Sequence, residues 1–268
     1  MVFIVLGLLG LAFGSFVTAL TWRLHEKKNF VSDRSQCEHC GHVLGPLDLV
    51  PVISWVVLRG RCRYCHVAIG WENPLIELSV AALFIASYIF WPAVLYSWQS
   101  WASFGLWLVY MVLLVALVVY DNKWMLLPDS LVWPLVVLGL VDAGLRVSMQ
   151  PHASVLVYGE HVVLGAVALA GFYLALYTVS RGRWVGFGDV KLGLFMGIVL
   201  GWQQALLTLF LANLVGLIIV LPGMLSGRLT PRSRVPFGPF LIAGFVLSGL
   251  FGTQLIAAYI KFLLNGSL

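Results

Sequence analysis

Charge is what this chain has least of. Only 10% of its 268 residues are Asp, Glu, Lys or Arg, while 61% are hydrophobic; an ordinary soluble domain carries about 25% charged residues. That scarcity excludes both a water-soluble globular fold and a disordered polar chain. Cysteine is nearly as scarce. The four present all fall between Cys37 and Cys65, which excludes a disulfide framework across the rest of the chain. Long polar runs are missing too, apart from residues 23–72. The first 22 residues have no basic run ahead of their apolar stretch and no small-residue cleavage site, so they read as a retained span rather than a removed signal peptide. The net charge of +5 would point to nucleic acid in a soluble protein. Here the distribution of basic residues between loops explains it, and no nucleic-acid partner is expected.

What is present is a series of apolar stretches near 20 residues long, the pattern of an all-α polytopic membrane protein in a lipid bilayer. The expected spans are residues 1–24, 73–91, 98–120, 128–147, 155–180, 189–202, 205–225 and 235–264, about eight transmembrane helices. The organisation predicted is a first transmembrane helix over residues 1–22, a small extramembrane domain over 23–72, and a larger membrane domain over 73–268. Gly7, Gly10 and Gly14 allow the first helix a close neighbour. The sixth span is short: fourteen residues rise about 21 Å against a hydrocarbon core of about 30 Å. Lys and Arg fix the orientation. With the N-terminus outside, positions 23, 27, 28, 34, 59, 61, 63, 123, 181, 183, 191, 228, 232 and 234 face the cytoplasm. That is 14 of the 16 basic residues, and only Arg146 and Lys261 remain outside.

The polar segment carries Cys37-Glu38-His39-Cys40 and Cys62-Arg63-Tyr64-Cys65, two matched C-x2-C pairs 21 residues apart. Four thiolates so spaced fill a tetrahedral Zn2+ site, and in a reducing cytosol metal is favoured over disulfide. A site with four protein ligands has no open position for substrate, so its role is to fold a domain too small for a core of its own. Gly41 and Gly60 flank the knuckles.

Eleven acidic residues remain to be placed. Asp33, Glu38, Asp48, Glu26 and Glu72 sit in the polar segment, where water can solvate them. Asp142 and Glu160, towards the outer ends of their spans, read as packing partners or interfacial charges. Asp129 follows Pro128 at a helix start, where a cap is the ordinary role. Glu77, one turn into the second span, either joins a substrate site or favours its own helix N-terminus. Two aspartates differ. Asp189 lies in Gly186-Phe187-Gly188-Asp189-Val190-Lys191 at the mouth of an apolar segment, where a charge marks function by default. Asp121 closes the run 109–120 at a similar depth. Taken alone it reads equally as a solvated charge at a span end; taken with Asp189 it forms an acid pair at the cytoplasmic rim.

Asp121-Asn122-Lys123-Trp124-Met125-Leu126-Leu127-Pro128-Asp129 together with Gly186-Phe187-Gly188-Asp189-Val190-Lys191 resembles the paired signature of the type IV prepilin peptidases, GxGD-class aspartyl proteases of the bacterial inner membrane. Gly14-Ser15-Phe16, Arg23-Leu24, Ser54-Trp55, residues 58–65, Pro74-Leu75-Ile76-Glu77-Leu78 and Pro236-Phe237-Gly238-Pro239-Phe240 resemble further family segments, so the likeness runs over nearly the whole chain. The resemblance implies that Asp121 and Asp189 are catalytic and that Asp129 belongs to the motif without being one of the pair. It implies a prepilin or pseudopilin substrate. Gly186 and Gly188, which leave room for an extended peptide beside Asp189, are with Lys191 and Glu77 the candidate substrate contacts. It also implies S-adenosylmethionine-dependent N-methylation of the new N-terminus, with Gly60 and Arg61 at the positions tied to that activity. A lysine is common where Arg61 stands; Val17-Thr18, His25 and Trp71-Glu72-Asn73 also depart from the family's usual residues. Two other readings compete: a GxGD protease for another substrate such as a preflagellin, and a proton-coupled transporter or scaffold, which would carry its acids deeper and show an internal repeat.

Overall fold

The glycines of the first span do what small residues permit. Helix α1 (Val2–His25) lays Gly10 and Gly14 against the backbone of Ala81 and Glu77 on helix α3 (Glu72–Ile89), leaving no room for a Cβ at either position. Phe13 packs on Phe84 and Phe3 on Tyr88 along the same antiparallel seam. The computed structural model describes residues 1–29, 34–149, 155–230, 233 and 235–264; Asp33, Arg232 and Arg234 lie outside them. The described residues divide into two compact units, one of residues 1–89 and 108–119, the other of 90–107 and 120–268.

In the first unit a polar segment with a short 3-10 turn (Pro46–Asp48) and a one-and-a-half-turn helix α2 (Ile53–Val57) joins α1 to α3. It is tied down by polar contacts rather than by a core. Arg23 donates to the Ser35 hydroxyl at 3.2 Å. The Asp48 carboxylate accepts from Arg63 at 2.6 Å and from the Tyr64 hydroxyl at 3.1 Å. Trp55 Nε1 donates to the Ile69 carbonyl at 3.1 Å, and the Trp55 ring lies 4.1 Å from that of Trp71.

The second unit contains α5 (Asp129–Ser148), α6 (Val155–Ser180), α7 (Phe187–Leu225), α8 (Gly238–Leu264) and both ends of α4 (Trp98–Trp124). Helix α7 is two helical arms joined at Gly201, whose φ of 74° and ψ of 172° fall where only glycine is at ease. Neighbouring contacts show that the chain reverses there. On the first arm, Gly193 meets Leu169 and Gly197 meets Gly165, so this arm is antiparallel to α6. On the second, Ser248 donates to the Gln204 carbonyl at 2.9 Å, Gly244 meets Thr208 and Ala212, and Phe240 covers Gly216, so this arm is antiparallel to α8. Phe195 of the first arm stacks near Phe245 of α8, level with the Thr208 turn of the second. The arms are therefore the expected sixth and seventh spans. The fourteen residues from Phe187 to Leu200 keep the first arm near 21 Å.

Seven helices among the described residues are long and apolar enough to cross a membrane, α7 counted once. Their outer faces are lined with large apolar side chains, as on α6 (Val163, Leu164, Val167, Leu174, Val179), a surface that needs lipid rather than water. This is an all-α, multi-pass membrane protein. The boundary that bears on the acids differs from the expected one: α4 runs past Tyr120 to Trp124, where Tyr120 and Trp124 pack ring on ring at 4.5 Å and a left-handed Met125 ends the helix. Asp121 is thus inside the last turn of a helix, not the first residue of a loop.

Candidate active site and metal centre

Each of the two aspartates is held by a glycine N–H. Asp189 is the third residue of α7, and its Oδ2 reaches back to accept from the N–H of Gly186, which precedes the helix, at 3.1 Å; the Asp189 N–H returns the bond to the Gly186 carbonyl. An acid here satisfies an orphan donor of the first helical turn. Asp121 accepts at Oδ2 from the N–H of Gly238, first residue of α8, at 3.2 Å. A Cβ on Gly238 would sit 2.6 Å from that oxygen, so no other residue fits without moving the carboxylate. Both aspartates are buried, 6% and 8% exposed, in the same unit, and Asp121 lies close enough to act electrostatically on Asp189.

Leu127 stitches the two motifs together. A Cβ on Gly188 would come 2.8 Å from Leu127 Cβ, and one on Gly238 would come 3.4 Å from Leu127 Cδ2. The room expected at Gly188 for an extended peptide is filled here by Leu127. Lys191 pairs with Asp129, at the start of α5, and lies over the Phe187 ring. The ion pair binds the tails of the two motifs to each other, and Asp129 is the more exposed partner. Glu77 belongs to the other unit, where its buried carboxylate accepts from the N–H of Val52 at 2.7 Å and ties α3 to the polar segment. The buried Asp142 forms an i,i+4 ion pair at 2.8 Å with the partly exposed Arg146, which also donates to the Val199 carbonyl; of the two roles expected of Asp142, this is the packing one.

The four cysteine sulfurs lie within 4.8 Å of one another, with Cys37 and Cys65 Sγ 3.9 Å apart and no disulfide between any of them. A Zn–S bond of about 2.3 Å in a regular tetrahedron puts sulfurs about 3.8 Å apart, so the cluster has the size that a Zn2+ ion requires. The two knuckles have the same build. Cys37 N–H donates to the His42 carbonyl and Cys62 N–H to the Val67 carbonyl, each at 2.9 Å, and Gly41 and His66 take the left-handed conformation at equivalent positions. The second knuckle therefore turns at His66 rather than at a glycine. Gly60 instead faces the Trp55 ring, where a Cβ would come within 2.9 Å, and Arg61 beside it is exposed.

Gly238 is a member of the site that the sequence does not reveal. Its partner in the hydrogen bond lies 117 residues away, and only the glycine between Phe237 and Pro239 signalled a close approach.

Comparison with known proteins points to one family. Residues 8–91 match the Bacterial Peptidase A24 N-terminal domain and residues 108–221 the Type IV leader peptidase family. The chain is 35% identical over 237 residues to a prepilin leader peptidase/N-methyltransferase of Stutzerimonas stutzeri, covering 87% of this chain and 77% of that one. The corresponding Bacillus subtilis protein is 30% identical over 261 residues, 97% and 99% of the two chains, and that of Pseudomonas aeruginosa 34% over 237 residues, 87% and 77%. No solved structure matches. With both motif aspartates, the cysteine cluster and a relative matched over 99% of its length in accord, this chain belongs to the type IV leader peptidase family.

Proposed function

We propose that this protein is a membrane aspartyl endopeptidase that removes the basic leader of type IV prepilins or type II secretion pseudopilins and N-methylates the new N-terminus. The observation that carries the reading is the pair of buried aspartates, Asp121 and Asp189, each fixed at one oxygen by a glycine N–H and each with its second oxygen left for chemistry. Two buried carboxylates that act on one another share one proton rather than ionise together. The ionised member removes a proton from water as its oxygen bonds to the scissile carbonyl carbon. The protonated member donates to the carbonyl oxygen. Collapse of the adduct breaks the C–N bond, and the amine leaves with a proton from the dyad. The loop charges support an N-terminus outside and a site at the cytoplasmic face of the bacterial inner membrane, the depth at which a substrate changes from basic leader to apolar helix.

Zn2+ held by Cys37, Cys40, Cys62 and Cys65 closes the polar segment and does no chemistry on substrate. For the methyl donor, the exposed Arg61 guanidinium beside Gly60 suits the carboxylate of S-adenosylmethionine. S-adenosylmethionine held by those residues would supply the methyl group for the new N-terminal amine.

The test is leader removal from a purified prepilin by the detergent-solubilised protein. Asp121→Asn and Asp189→Asn each insert normally and release no leader above background. Processing at near wild-type rate by either variant would refute the dyad; a protein that moves protons yet trims no leader would favour the transporter.

A further inference from the structure

Tyr173 of α6 sits beside the segments that hold the two aspartates. Its ring lies over Gly193, where a Cβ would meet its Cδ2 at 3.3 Å, and 5.9 Å from the ring of Phe237. Gly193 is one helical turn beyond Asp189 on the same face of α7. Phe237 immediately precedes Gly238, the anchor of Asp121. Tyr173 is thus seated between the two segments that fix the two acids. It is 1% exposed, and its hydroxyl has no hydrogen-bond partner among the described residues, although it interacts electrostatically with the Asp189 carboxylate. Buried tyrosine hydroxyls ordinarily find a partner, because leaving one unpaired is costly. Phenylalanine would fill the same space without that cost, so packing explains the ring and leaves the oxygen unexplained.

We propose that the Tyr173 hydroxyl is a catalytic group that donates a hydrogen bond to the oxyanion formed on the scissile carbonyl. When water adds to the carbonyl carbon, its proton passes to the ionised aspartate, the C=O π pair moves onto oxygen, and the protonated aspartate and the Tyr173 hydroxyl both donate to that oxygen. A neutral donor already in place stabilises that charge without having to reorganise. The hydroxyl stays protonated throughout; when the C–N bond breaks, the electron pair returns to the carbonyl and the hydrogen bond weakens. This inference rests on the reading of Asp121 and Asp189 as the dyad.

The experiment measures leader removal from a purified prepilin by Tyr173→Phe, with Asp121→Asn and Asp189→Asn run in parallel. The expected result is a fall in kcat of about 10²–10³-fold with KM within threefold, and an unfolding temperature no lower than that of the wild type. A kcat within threefold of wild type, or a loss confined to KM, overturns the proposal. In a second variant, 3-fluorotyrosine at position 173 keeps the ring and makes the phenol a stronger donor; it retains or raises kcat, and a tenfold fall counts against the proposal even if Tyr173→Phe does not fold. The parallel variants separate the two claims. Inactive asparagine variants beside a fully active Tyr173→Phe sink the tyrosine alone, whereas an active asparagine variant sinks the dyad and the tyrosine's role with it.

Discussion

Replacing Gly238 with alanine tests whether main-chain anchoring sets the aim of Asp121. The added Cβ would lie 2.6 Å from Asp121 Oδ2, where ordinary contact begins near 3.4 Å. Carboxylate and helix must part by about 0.8 Å, which lengthens the 3.2 Å bond to roughly 4 Å and breaks it. A hydrogen bond to a charged group contributes about 1.5–3 kcal/mol, and a misplacement near 1 Å costs about 10²-fold in rate. Both routes predict that Gly238→Ala lowers kcat about 10- to 100-fold while KM barely changes. The assay is initial-rate leader removal, with Gly144→Ala as the control: that glycine is also helical, but its Cβ would meet nothing within 4 Å. The control should cleave at wild-type rate and gain up to about 1 kcal/mol of stability. A Gly238→Ala protein cleaving within twofold of wild type would refute the argument that this N–H holds the acid in place.

Three further outcomes follow from the metal segment and the helix reversal. Freshly purified protein should contain one zinc per chain by elemental analysis, and Cys37→Ser combined with Cys40→Ser should abolish it. After chelation the thiols should alkylate in order. The Cys40 N–H is the chief cause drawing Cys37 down to about 7, whereas Cys65, despite a pull from the Val67 N–H, is pushed up to about 11 by burial and its neighbouring thiols. A lowered thiol is half ionised near pH 7 and a raised one is not, so mass spectrometry should find Cys37 modified first as pH climbs from 6 to 9; Cys65 reacting first would contradict the assignment. Gly201→Ala forces a side chain into φ 74°, ψ 172°, which costs about 1–3 kcal/mol, and should lower the unfolding temperature in detergent without touching the zinc content.

The two aspartates and four cysteines could be read from sequence because their chemistry is local: an acid at an apolar boundary and thiols in C-x2-C pairs stand out whatever the fold. The span pattern was legible for the same reason, down to the short arm before Trp202. What escaped was non-local. Gly238 matters only because α8 begins beside the last turn of α4, and no spacing rule connects residues 121 and 238. Gly188 looked like room for a substrate, yet Leu127 of the other motif takes that space. Lys191 looked like a substrate contact and is paired with Asp129. Tyr173 sits in an apolar helix without a motif, and only its orphaned oxygen sets it apart.

Hanging both acids from peptide N–H groups has an evolutionary consequence. A catalyst steadied by its own main chain does not depend on the identity of surrounding side chains, provided that two glycines keep their places. The side chains around the two acids are then free to drift, and new leader sequences can be accommodated by changes that leave the acids themselves in register.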